Sequence, residues 1–244
     1  MIRVELEDQI AFLTLARPEK RNAMAPGMLD DLAAAVESLP PDVRCITLRG
    51  DGPTFCAGFD LKRCAADPSG DTMHRLLTGL SRCVRALRAA DAPVVAAVQG
   101  AAVAGGCALL GGADVVIAER QTRLGYPVAR IGVSPAVSAP FLTATIADGP
   151  ARTLQLDPEL ISAEQALSIG LVHELADGPD DLERRARESA RRLATRPGHG
   201  VAATTRLLNE LAQPRTAHAD AALDVSLSRV GSSEERDRLA ALWS

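Results

Sequence analysis

Residues Pro93–Ala118 run PVVAAVQGAAVAGGCALLGGADVVIA, and the architecture turns on them. Val94-Val95-Ala96-Ala97-Val98 is short, apolar and partly β-branched, which predicts a strand buried on both faces. Gln99-Gly100 predicts a tight turn. A small-residue segment ending in Gly105-Gly106 leads into Cys107-Ala108-Leu109-Leu110, predicted as a short buried helix that Gly111-Gly112 closes. Val115-Val116-Ile117 predicts a second buried strand, and Asp114 is the one charge in the stretch. The small residues let backbone, or a ligand, approach closely. The first N–H groups of a helix have no partner within it, so Gly105 and Gly106 offer donors suited to a developing negative charge. The plain alternative is a core helix packed tightly on a sheet. Two nucleotide-binding readings fail. Gly100-x4-Gly105 is followed by Gly106-Cys107 rather than Lys-Ser/Thr, and no G-x-G-x-x-G occurs.

Outward from this stretch the pattern alternates strand and helix. Ile2–Leu6 and Ile10–Leu15 predict a hairpin, and Arg17–Asn22 a charged loop. Ala25–Leu39 has helical apolar spacing and ends at Pro40-Pro41. Val43–Leu48 predicts a strand, followed after Arg49–Pro53 by a second small-residue loop, Thr54–Asp60. Leu61–Cys64 starts a short helix, and Asp71–Ala90 is amphipathic, with Met73, Leu76, Leu77, Leu80, Val84 and Leu87 on its apolar stripe. Beyond the central stretch, Pro140–Ile146, Pro150–Leu156 and Ser162–Ser168 predict helices, and Gly170–Glu174 an extended segment. From Pro179 the pattern is helical: Asp181–Thr195, Gly200–Ala212, Ala219–Val230 and Ser233–Trp243. The expected class is α/β, with a sheet-bearing core over 1–178 and a helical region over 179–244. No internal repeat is visible.

Composition bounds the function. The chain has 244 residues, 47% apolar but only 2% aromatic, so its core is built from Ala, Val, Leu and Ile. A net charge of −4 gives no electrostatic reason to expect nucleic acid. Glu5, Glu7 and Asp8 interrupt the N-terminus, so no signal peptide is expected there, and no apolar run has membrane-spanning length. Cys45, Cys56, Cys64, Cys83 and Cys107 lack paired metal spacing and are expected as free thiols in a reducing cytoplasm. The arginines between 184 and 196 alternate with Glu183 and Glu188, as on a solvated helix face.

Two loops stand out together. Ala57-Gly58-Phe59 and Ala104-Gly105-Gly106 each follow a buried strand, and each presents Gly at the start of a helical segment. Two N–H groups converging from such loops would make an oxyanion hole, in which losing one donor typically costs ~3 kcal/mol of transition-state stabilisation. The chain resembles the crotonase, or enoyl-CoA hydratase/isomerase, family in Leu13–Ala23, Phe55–Lys62, Pro93–Gly100 through Cys107, Ala113-Asp114, Ile131-Gly132 with Pro135, and Ser162–Ala166 with Gly170–Val172. In order and spacing these segments cover about residues 10–175.

The resemblance implies a spiral of repeated ββα turns. It implies a helical C-terminal region assisting homotrimers or homohexamers, and a place in fatty acid metabolism. It also implies an acyl-CoA substrate, with CoA as part of that substrate and no metal or redox cofactor. By position, the N–H groups of Phe59 and Gly105 would be the oxyanion donors. Ala57 would lie beside the adenine, and Lys20, Arg21 and Lys62 near the CoA phosphates. Ala23, Asp60, Leu61, Gly106, Ala108, Tyr126, Val128 and Ser134 complete the expected substrate contacts, although Asp60, like Asn22, also suits hydrogen bonding within its own loop.

Hydratases of this family resemble one another in two glutamates that move water and proton. Here those positions are Ala108 and Val128, neither of which transfers a proton. The Asp that a dehalogenase would need near Ala136 is absent as well. Tyr126, Ser134, Ser138 and His74 are the candidate substitutes, each with a plainer structural alternative. Cys107 is expected to act as a small buried hydrophobe. Three readings follow: an enzyme of the lyase or isomerase type with non-standard proton transfer, a catalytically silent acyl-CoA-binding paralogue, or an unrelated α/β scaffold without CoA affinity.

Overall fold

The protein is described from a computed structural model covering residues 1–242, without the side chains of residues 214–216. Trp243, the expected end of the last helix, lies outside the described residues. The main sheet has six strands: β1 (Ile2–Glu7), β2 (Ile10–Leu15), β3 (Cys45–Gly50), β4 (Val94–Val98), β6 (Val115–Glu119) and β9 (Glu174–Ala176), in the order β1-β2-β3-β4-β6-β9. β1 pairs antiparallel with β2 through the expected hairpin, and every later pairing is parallel. A second sheet joins β5 (Ala101–Val103), β7 (Arg123–Gly125) and β8 (Ile161–Ser162).

Side-chain alternation explains the uninterrupted apolar run of β4. Val94, Ala96 and Val98 enter the large core shared with α1 (Pro26–Glu37) and α3 (Asp71–Ala89). Val95 and Ala97 enter a second core on the opposite face, closed by Leu182, Ala186 and Ala190 of α8 (Pro179–Ala194). Both faces are covered, so neither needs a polar residue. Asp114 belongs to this frame: its Oδ2 accepts from the Val94 N–H at 2.7 Å.

The chain leaves the main sheet at Gly100, where φ is 62° and a Cβ would stand 2.0 Å from the Pro53 carbonyl oxygen. It enters β5, a three-residue strand that the sequence pattern does not announce, and then α4 (Gly105–Leu109), as expected. β9 begins at Glu174 rather than at Gly170. Leu171 and Val172 instead donate to the Ala166 carbonyl at 2.9 and 3.1 Å, closing α7 (Ala163–Ser168). α2 (Leu61–Ala65), α5 (Ala139–Thr145) and α6 (Asp148–Leu156) follow the expected segments within a few residues, as do α9 (Gly198–Thr216), α10 (Ala219–Leu227) and α11 (Ser233–Ala241).

Candidate functional site

The two glycine loops meet. The segment Phe55–Asp60 is held on one edge by β5, with Cys56 N–H donating to the Ala101 carbonyl at 3.1 Å and Val103 N–H to the Cys56 carbonyl at 3.0 Å. On the other edge Met24 N–H donates to Gly58 at 2.7 Å, and Asp60 N–H donates to Met24 at 2.9 Å. Successive N–H groups of an extended chain point to opposite edges, so the Phe59 N–H turns away from Met24. Gly58 has φ 91°, and a Cβ there would meet the Val103 carbonyl at 3.0 Å. Only glycine fits this approach without strain.

Gly105 opens α4. The residue before it, Ala104, is held at φ 52° and ψ −114°, a sparsely populated conformation that sets the orientation of the Ala104–Gly105 peptide. Ala104 is fixed on both sides: its N–H donates to Gly125 at 2.8 Å, and its carbonyl accepts from Ala108 at 2.9 Å. A Cβ at Gly105 would stand 3.0 Å from Cε1 of Phe59, which places the two loops in contact. Neither the Phe59 nor the Gly105 N–H has an acceptor among the described residues. Gly106 serves the packing: a Cβ there would lie 2.5 Å from the Cys56 carbonyl oxygen.

Both loops border a cavity of about 260 Å³. Ala57, Phe59, Leu61, Gly105, Ala108, Tyr126, Val128 and Ser134 line it, as the sequence predicts. Lys20, Arg21, Ala23, Asp60, Lys62 and Gly106 do not. Lys20, Arg21 and Lys62 are exposed and make no ion pair among the described residues, and Ala57 N–H donates to the Arg21 carbonyl at 3.0 Å. Asp60 is turned to the neighbouring Arg17–Asn22 loop: Arg17 Nη2 reaches its carboxylate at 3.1 Å, while Arg17 Nη1 donates to the Ala23 carbonyl at 2.7 Å. Asn22 is wholly buried and bridges three loop groups, accepting from Arg17 N–H at 2.9 Å and donating to the Asp51 and Thr54 carbonyls at 2.9 and 2.7 Å. His74 is exposed and does not line the cavity.

The sequence reading missed several walls: Met73, Leu77 and Leu80 of α3, with Ile131, Val133 and Leu242. The α3 stripe was visible, but buried apolar residues look alike in sequence whether they face a core or a cavity.

Tyr126 is 2% exposed, and its hydroxyl has Ser138 and Cys107 as polar neighbours. Burial is the largest cause raising its pKa well above the ordinary phenol value, so it stays protonated. Ser138 Oγ donates to the Pro135 carbonyl at 2.8 Å and accepts from Gln155 Nε2 at 3.1 Å. Burial pushes the Cys107 thiol up to about 12, as fits a small hydrophobe rather than a nucleophile. No carboxylate, histidine or lysine lines the cavity among the described residues, and its one cation, Arg130, pairs with Glu159. The arrangement can receive charge on an oxygen but offers no side-chain base.

The match to the family model described as enoyl-CoA hydratase/isomerase extends over residues 5–238. The chain belongs to the enoyl-CoA hydratase/isomerase family. It is 33% identical to the 1,2-epoxyphenylacetyl-CoA isomerase of Escherichia coli, over 84% of this chain and 80% of that protein. It is 35% identical to the enoyl-CoA hydratase EchA19 of Mycobacterium tuberculosis, over 72% of this chain and 68% of that one. A solved enoyl-CoA hydratase/isomerase from Mycobacterium paratuberculosis superposes with a TM-score of 0.90 at 27% identity, covering 98% of this chain and 97% of its own. The fold is therefore the crotonase fold, and the reading as an unrelated α/β scaffold is set aside.

Proposed function

We propose that the protein acts on an acyl- or enoyl-CoA thioester, seating the thioester oxygen between the N–H groups of Phe59 and Gly105 and stabilising an enolate there. The observation carrying this reading is the pair of unpartnered N–H donors on two touching loops at an apolar cavity. In a water-excluded cavity such donors act at full strength on developing charge. The relatives' names include both a hydratase and an isomerase of CoA compounds, which supports the substrate class. CoA enters as part of the substrate and the chemistry needs no metal or redox group. Lys20, Arg21 and Lys62 meet the CoA phosphates, with Ala57 beside the adenine. Assembly as a homotrimer or homohexamer belongs to the same reading, and exposed Leu207, Leu208 and Leu211 of α9 support it.

Proton transfer is non-standard in this proposal, because Ala108 and Val128 line the cavity where the resemblance places two glutamates. That same observation favours the second reading, a catalytically silent acyl-CoA-binding paralogue.

One experiment separates them. The wild type is assayed on a panel of acyl- and enoyl-CoAs beside Gly105→Pro, which removes one donor; because a Cβ there also meets Met24 Cε at 2.6 Å and Phe59 Cε1 at 3.0 Å, the variant is scored only where it melts cooperatively and still binds CoA esters. Turnover by the wild type and its loss in Gly105→Pro is the expected result. Equal activity in both refutes the oxyanion assignment. Binding without turnover, together with crotonyl-CoA hydration by Ala108→Glu/Val128→Glu, establishes the silent reading.

A further inference from the structure

Resting on the acyl-CoA reading, we infer that the acyl group is an uncharged aliphatic chain of medium length, and that Met73 sets its length as a plug between two cavities. The 260 Å³ cavity is walled by Leu61, Leu77, Leu80, Ile131, Val133 and Val137. Among the described residues it offers no free cation to a carboxylate on the acyl group, since Arg130 is committed to Glu159. Charged acyl groups would lose their hydration without replacement.

A second cavity of about 170 Å³ lies where α2, α3 and α11 meet. Met73, 2% exposed, is the one residue lining both among the described residues. The second cavity is bordered by Cys64, Ala65, Leu239 and Ala240. Its polar groups are engaged locally. The Asp67 carboxylate accepts from Ser69 N–H at 3.1 Å and Thr72 N–H at 2.7 Å, Glu235 accepts from Gly231 N–H at 2.5 Å, and Arg236 donates to the Gly231 carbonyl. With these groups held by their neighbours, the apolar remainder of the lining suits hydrocarbon. The Met73 side chain borders both cavities, and a flexible thioether adapts readily to such a place.

At a volume per methylene close to that of water, roughly 30 Å³, the first cavity holds a chain of about eight carbons and the second about five more. Affinity should therefore rise about fourfold per added methylene until the plug is met.

The test is the dissociation constant of saturated acyl-CoAs from four to sixteen carbons, measured by calorimetry. For the wild type the rise is expected to break near eight carbons. For Met73→Ala the break is expected to move outward by about five, and for Met73→Ala/Leu239→Phe to return. Met73→Val serves the same purpose, with a smaller shift, if the alanine variant does not melt cooperatively. An unmoved break in a folded variant, or no dependence on chain length, overturns the inference while leaving the thioester site standing. Tightest binding of a dicarboxylic acyl-CoA overturns it as well. Failure of every acyl-CoA to bind removes the functional reading itself.

Discussion

Gly106→Ala should loosen the joint that brings the two glycine loops together. The added Cβ would lie 2.5 Å from the Cys56 carbonyl oxygen, 2.8 Å from its Cβ and 3.1 Å from its carbonyl carbon. Two of these atoms are backbone, so no rotamer change relieves the clash. Cys56 is pinned by its two hydrogen bonds to β5, and α4 must therefore move. Overpacking of this kind costs about 1–3 kcal/mol, which for a chain of this size lowers Tm by roughly 2–12 °C. The movement separates the Gly105 N–H from the Phe59 N–H, and displacement of a positioning group by about 1 Å typically costs ~10²-fold in rate. Gly149→Ala is the control, because nothing lies within 4 Å of a Cβ there and Gly149 sits in α6. It should be neutral or stabilise by about 0.5 kcal/mol. Calorimetric melting and acyl-CoA binding are measured on both. Cys56→Ala should not rescue Gly106→Ala, since the closest contact is with main chain. A Gly106→Ala protein with wild-type Tm and wild-type affinity would refute the close-approach argument.

Two further expectations concern titrating groups. Tyr126 is the one tyrosine in the chain, so phenolate absorbance reports it alone. Its pKa is raised in the fold, so no phenolate should form near pH 10 in the native protein. The unfolded chain ionises first, and stability is fully present below pH 10 and falls as pH rises beyond it. A native phenolate titrating at pH 10 would contradict the burial of this hydroxyl. The five cysteines are all buried, with thiols pushed up to about 12 by desolvation. A thiol reagent at pH 8 should label none in the folded protein and all five after denaturation. Rapid native labelling of Cys107 would restore it as a candidate nucleophile.

What the sequence makes legible is what carries a period or a special backbone. The run Val94–Val98 had to be buried on both faces, and the structure covers it with α1 and α3 on one side and α8 on the other. The pairing of Ala57-Gly58-Phe59 with Ala104-Gly105-Gly106 was visible because close approach requires glycine at Gly58 and Gly106. β5 was not visible: three residues of Ala and Val show no alternation, and its register is fixed by Arg123–Gly125 far along the chain. The cavity walls on α3 were read as core, since Met73 and Leu77 are as buried as Leu76. Asp60, counted among the substrate contacts, pairs with Arg63 three positions on and with Arg17, a partner 43 positions away.

The central claim, that Phe59 and Gly105 polarise a thioester, is tested most directly by the carbonyl stretching frequency of a ¹³C-labelled hexanoyl-CoA bound to the protein. This measurement does not depend on turnover. The account predicts a lower frequency than in water for the wild type and a return toward the water value in Gly105→Pro. A bound thioester whose frequency matches that in water, with Gly105→Pro indistinguishable from wild type, would contradict it.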